Sequence, residues 1–163
     1  MKIAGTLLSL ILLSSSVQAQ TLEELYPVEY ATILDGARAN ECETDVMLCI
    51  LLAVRTCEAG RAGYEFGVTD RRAIDKPNSL RVQAGWAART ISNQQKRWIK
   101  AGGDIDLISS LAARYAPVGV SNDPRGLNRN WERNVRSVTE RNLRVLWGLE
   151  RDTQFIWRKA REM

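Results

Sequence analysis

The residue best placed by type and spacing to do chemistry is Glu58. It stands eleven positions after Met47, and at about 100° per residue eleven steps return to within about 20° of the start. Glu58 therefore continues the apolar helical stripe of Met47, Ile50, Leu51 and Val54. A carboxylate on an apolar face is costly unless it is neutralised or paired. A position in the last helical turn adds the negative end of the helix dipole. Both effects raise the pKa, and a carboxyl group kept protonated near neutral pH is what a general acid for glycosidic cleavage needs. The competing reading is a helix-end glutamate paired with Arg55, Arg61 or Arg72. The chain has no histidine. That excludes a Ser-His-Asp triad, a Cys-His dyad and any zinc site built on imidazole. Neither a metal nor a cofactor is expected.

The elements that must position Glu58 are helical almost throughout. Thr44 or Asp45 caps the helix that carries it, and Gly60 ends that helix. Upstream, residues 21–35 read as a short helix interrupted or started near Pro27. Residues 60–78 are irregular and rich in Gly and Arg. Ser79 opens a helix running to about Lys100, with Leu80, Ala84, Ala87, Ile91 and Trp98 on its buried stripe and Gly102-Gly103 as its stop. Asp104 caps the next helix, which carries Ile105, Ile108, Leu111 and Ala112. A loop runs from Tyr115 to about Gly126, and one or two amphipathic helices occupy the rest. Trp131, Val135 and Val138 share one stripe there, with Leu146, Trp147 and Trp157 further along. No hairpin signal of the Asn-Gly or Asp-Gly kind appears. The expected class is mainly α, a single domain with little or no β-structure.

The segment Ile50 to Asp70, ILLAVRTCEAGRAGYEFGVTD, resembles the lysozyme-like superfamily, closest to the bacterial N-acetylglucosaminidases of autolysins and flagellar hydrolases. In that family an apolar helix ends in a catalytic glutamate followed by small residues and glycine, then an aromatic-Gly-aliphatic segment, here Phe66-Gly67-Val68. A second patch, Tyr115-Ala116-Pro117, Asn122-Asp123-Pro124 and Trp131 to Val135, is similar to the family's tyrosine motif. The resemblance spans about Ile50 to Val138. It implies a lysozyme-like helical fold over residues 20–163, with a core at about 44–140 and a basic C-terminal helix at about 141–163. It also implies that Glu58 protonates the leaving glycosidic oxygen and that Tyr115 lies near the reacting sugar. One acid suffices if the substrate's N-acetyl group supplies the nucleophile, or if its 6-hydroxyl closes a 1,6-anhydro ring. A two-carboxylate mechanism needs a partner roughly 5 to 10 Å away. Glu65, Asp70 and Asp75 are the nearest in sequence, and Glu65 is equally readable as a loop residue tied to an arginine. Tyr64, Phe66 and Trp131 suit saccharide faces or, alternatively, core packing. Asn130 suits an N-acetyl group.

The rest of the chain bears on where such chemistry would act. Residues 1–19 have a lysine, an apolar run from Leu7 to Leu13 and Val17-Gln18-Ala19 before Gln20, the pattern of a cleaved signal peptide. The apolar run is short of the roughly 20 residues a spanning helix needs, so no transmembrane span is expected after cleavage. Export to the periplasm or beyond would let Cys42 fold back and pair with Cys49, although all three cysteines are also readable as small buried apolar residues. The net charge is +4 over 163 residues, and the basic run from Arg125 onward suits an anionic cell envelope. Peptidoglycan glycan strands are the expected partner. No groove-reading nucleic-acid motif is present, and none is expected. Ala59 stands where serine is usual in the family and the stretch from Asp70 to Ser79 is short. These departures support a second reading, a non-catalytic envelope-binding or scaffold protein.

Overall fold

The computed structural model describes residues 20–74, 77–103, 105–120, 123 and 126–148. Outside them lie the signal segment, Asp75, Asp104, Asn122, Pro124, Trp157 and the basic tail beyond residue 148. Helix is the dominant structure of the described residues, and there is no strand among them. Its elements are α1 (Leu22–Leu25), α2 (Tyr30–Arg38), α3 (Asp45–Glu58), α4 (Ser79–Lys100), α5 (Leu107–Tyr115), a 3-10 turn (Leu127–Asn130) and α6 (Trp131–Trp147). None of these helices is long and apolar enough to cross a membrane.

Helix α3 is the axis of the fold. Every residue from Val46 to Val54 is buried, so the helix is wrapped on all sides rather than along one stripe. It packs most extensively against α6, while α2 and α4 form a second pair alongside. Thr44 caps α3, its hydroxyl accepting from the Met47 N–H at 3.3 Å. The helix stops at Glu58 because Ala59 turns left-handed, with φ of 46°. Gly60 then lets the chain double back: a Cβ there would lie 1.7 Å from the Tyr64 carbonyl oxygen. The α2–α4 approach is equally close, since a Cβ on Gly36 would lie 3.0 Å from the Ala84 Cβ and 3.1 Å from the Gly85 nitrogen.

The helix read from residue 21 is interrupted near Pro27, as expected, into α1 and α2, and α2 runs on to Arg38. Thr21 and Glu24 close a capping box on α1, and α2 begins only after Pro27. Helix α5 is capped by Asp106, whose carboxylate accepts from the Ile108 and Ser109 N–H groups at 3.0 and 3.1 Å. Ile105 therefore precedes the helix and is 57% exposed rather than part of its buried stripe. Asp106 also accepts from Arg136 of α6 at 2.9 Å. Although burial opposes ionisation, the hydrogen bonds from Arg136 and Ser109 hold its carboxyl below the usual range. Helix α4 has the expected limits, but Leu80 and Trp98 are only half-buried, and Gln83 and Ser92 join its buried face. The three cysteines are free thiols, Cys42 and Cys49 in the core and Cys57 half-buried. The Cys42–Cys49 bridge left open above is not formed. Burial pushes the Cys42 thiol up to about 12.

Candidate active site

Four chain segments converge on Glu58: the end of α3, the loop after it, the end of α5 and the start of α6. The Trp131 indole N–H, in the first turn of α6, donates to Glu58 Oε1 at 2.8 Å. Tyr115, the last residue of α5, stacks on Trp131 with ring centroids 5.3 Å apart and planes 22° apart. Its hydroxyl donates to the Phe66 carbonyl at 2.5 Å. Gly67 lies against the other carboxyl oxygen. Its φ is +68°, and a Cβ there would come within 2.5 Å of Glu58 Oε2. Glycine at 67 thus meets two needs, a left-handed backbone and an uncovered oxygen.

The electrostatics follow from this packing. Desolvation raises the Glu58 pKa above its ordinary value, and the Trp131 hydrogen bond only partly opposes it. None of the three arginines offered by the sequence pairs with Glu58. Arg55 is held by Glu29 at 2.7 Å, Arg72 by Asp70 at 2.8 Å, and Arg61 lies over the Tyr64 ring at 5.5 Å. Indole N–H is a donor only. Oε1 is therefore the acceptor, and a proton on the neutral carboxyl belongs on Oε2, the oxygen that Gly67 leaves open. Burial and then the neighbouring Glu58 push the Tyr115 phenol up, so it stays protonated and keeps donating to the loop.

The other expected site residues divide. Trp131 is 7% exposed, so it orients Glu58 instead of offering an open saccharide platform. Phe66 is fully buried in the core and cannot stack on a sugar; the packing alternative holds for it. Tyr64 is half-buried. Asn130 is exposed beside Trp131, its Oδ1 accepting from Arg133 at 3.0 Å. Glu65 is buried, but its carboxylate is not tied to an arginine. Ser79 donates to its Oε1 at 2.6 Å, its Oε2 is buried with no partner, and Arg55 reaches only its main-chain carbonyl, at 3.3 Å. Asp70 is held ionised by Arg72, with its pKa near 2. Among the described residues no cluster of Cys, Asp and Glu is arranged to hold a metal ion.

One organising residue escaped the sequence reading. Gln83 is fully buried, and its amide is the post of the loop. Oε1 accepts from the Phe66 and Val68 N–H groups at 3.3 and 3.2 Å. Nε2 reaches the Gly63, Val68 and Ala73 carbonyls at 2.8, 2.9 and 3.3 Å. The signal was present, because Gln83 lies three residues after Leu80 and four before Ala87, on the predicted apolar stripe. A buried amide there needs partners, and an irregular Gly-rich loop has unpaired backbone to supply them. Comparison with family models, with characterised proteins and with solved structures gives no match to this chain.

Proposed function

We propose that this chain is an exported glycosidase acting on peptidoglycan glycan strands, with Glu58 as the general acid. The observation that carries the reading is the Glu58 carboxyl itself. It is desolvated at a helix end, without an ion pair among the described residues, oriented through Oε1 by the Trp131 indole, and open at Oε2 beside Gly67. A neutral carboxyl so held can give its proton to a leaving glycosidic oxygen. Trp131 and Tyr115 act as positioning residues, Trp131 on the acid and Tyr115 on the Phe66-Gly67 backbone beside it. Tyr64 and Asn130 flank the site as sugar contacts. The arginines on the outer face of α6 favour an anionic envelope.

Purified sacculi incubated with the protein should release muropeptides, and Glu58→Gln should lower the rate by about 10²-fold or more. The product mass separates the two routes open to a single acid, since a 1,6-anhydro sugar is one water lighter than a hydrolytic product. Ala59 beside the acid favours the second reading, an envelope-binding protein that does not cleave. Cosedimentation with sacculi without any released fragment, over a range of pH and salt, would establish that reading and refute the enzyme.

A further inference from the structure

The outer face of α4 carries a concave surface, none of whose lining residues belongs to the Glu58 constellation. It is a cavity of about 370 Å³ whose walls include Asn40, beyond the end of α2, and Gly85, Trp86, Arg89 and Asn93 of α4. That volume is at the small end of ordinary ligand sites. Gly85 is part of its lining. Glycine inside a helix costs about 1 kcal/mol relative to alanine, and here one tight neighbour stands against a side chain. A Cβ on Gly85 would meet only the Asn40 Nδ2, at 3.3 Å. What a side chain at 85 would fill is the cavity.

The walls are chemically mixed in a specific way. Trp86 is 37% exposed, and its indole is steadied by the Arg72 guanidinium, 5.1 Å above the ring centroid. Arg72 is itself held by Asp70. The lining arginine Arg81 is neutralised by Asp35 at 2.6 Å, whereas Arg89 forms no ion pair among the described residues. The Asn40 amide donates to the Gly36 carbonyl at 2.9 Å, which leaves its Oδ1 as an acceptor, and the Asn93 amide is uncommitted.

We propose that this groove is a second ligand site, one that takes a carboxylate-bearing amino sugar. The indole offers an apolar face to the C–H face of a pyranose. The two amides match an acetamido group, and Arg89 matches one carboxylate. Of the two lining arginines, Arg81 is neutralised by Asp35, which leaves Arg89 as the lining cation without an ion pair among the described residues. That suits a monocarboxylate better than a phosphate-rich polymer.

The test follows the tryptophan indole N–H resonances of the ¹⁵N-labelled full chain, with the Trp86 signal assigned through Trp86→Phe. N-acetylmuramic acid should shift the Trp86 signal saturably. N-acetylglucosamine, which lacks the carboxylate, should bind about tenfold more weakly, and Arg89→Gln should erase that difference. Gly85→Met should abolish the shift while the Trp131 and Trp147 signals keep their folded positions. An unmoved Trp86 signal, an equal shift from acetate or adenosine monophosphate, or a shift that survives Gly85→Met would overturn the proposal. The Trp131 signal reports the Glu58 site separately, so the two sites stand or fall independently.

Discussion

At the residue scale, Glu58 is defined as much by what it lacks as by what it touches. Burial keeps its carboxyl above the ordinary value near 4.5, so the folded chain holds a proton that the unfolded chain has released. The resulting stability is fully present below the unfolded value and is lost as pH rises through the raised folded value. Glu58→Gln removes this dependence. The variant should match the parent below the unfolded value and exceed it near neutrality, read from urea midpoints. A variant less stable at every pH would contradict a desolvated, unpaired acid. Trp131→Phe keeps a ring against Tyr115 but deletes the donor to Oε1. The Glu58 pKa should then rise further, and the alkaline limb of the pH–rate profile should move to higher pH. A limb that stays in place would mean that the indole does not tune the acid.

At the element scale, the site depends on a loop that has no regular structure of its own. The backbone of residues 63–73 is tied to α4 chiefly through one side chain, Gln83. Gln83→Ala removes all five of those hydrogen bonds and should cost about 2–4 kcal/mol. It should also lower activity in proportion to lost order at Gly67, seen as faster amide exchange at Phe66 and Val68. Unchanged exchange there would show that Gln83 is not the post. The helix boundaries show which signals are local. Pro77-Asn78-Ser79 and Gly102-Gly103 delimit α4 as read, because both are backbone effects within a few residues. Thr44 caps α3 for the same reason. Asp106, not Asp104, starts α5. Both aspartates precede apolar residues in the sequence, and the Asp106 carboxylate that caps α5 is also engaged by Arg136, thirty positions later.

At the scale of the whole molecule, a buried central helix makes the fold sensitive at α3 and tolerant at its rim. Leu51→Ala should destabilise by about 2–5 kcal/mol, whereas Ile99→Ala, at a site 62% exposed, should stay within about 0.5 kcal/mol. Thermal melts of both variants check the contrast, and equal losses would argue against the packing described. Long-range polar links brace the same core. Asn142 of α6 accepts from the Tyr26 hydroxyl at 3.1 Å and donates to the Cys49 carbonyl of α3 at 3.3 Å. Trp147 donates to Asp45 at 2.6 Å.

The helical class, the α3 and α4 limits and the presence of Glu58 on an apolar stripe were legible in the sequence. Each depends on spacing of a few residues, where 3.6-residue periodicity and capping chemistry act. The tertiary structure alone decided which groups meet. Phe66 and Trp131 are both aromatic, yet one is core and the other grips Glu58 from 73 positions away. Glu65 and Glu58 are both loop-proximal carboxylates, yet Glu65 accepts from the Ser79 hydroxyl while Glu58 accepts from the Trp131 indole. Such outcomes depend on how α5 and α6 close over α3, and no local pattern encodes a contact whose two halves lie on different helices.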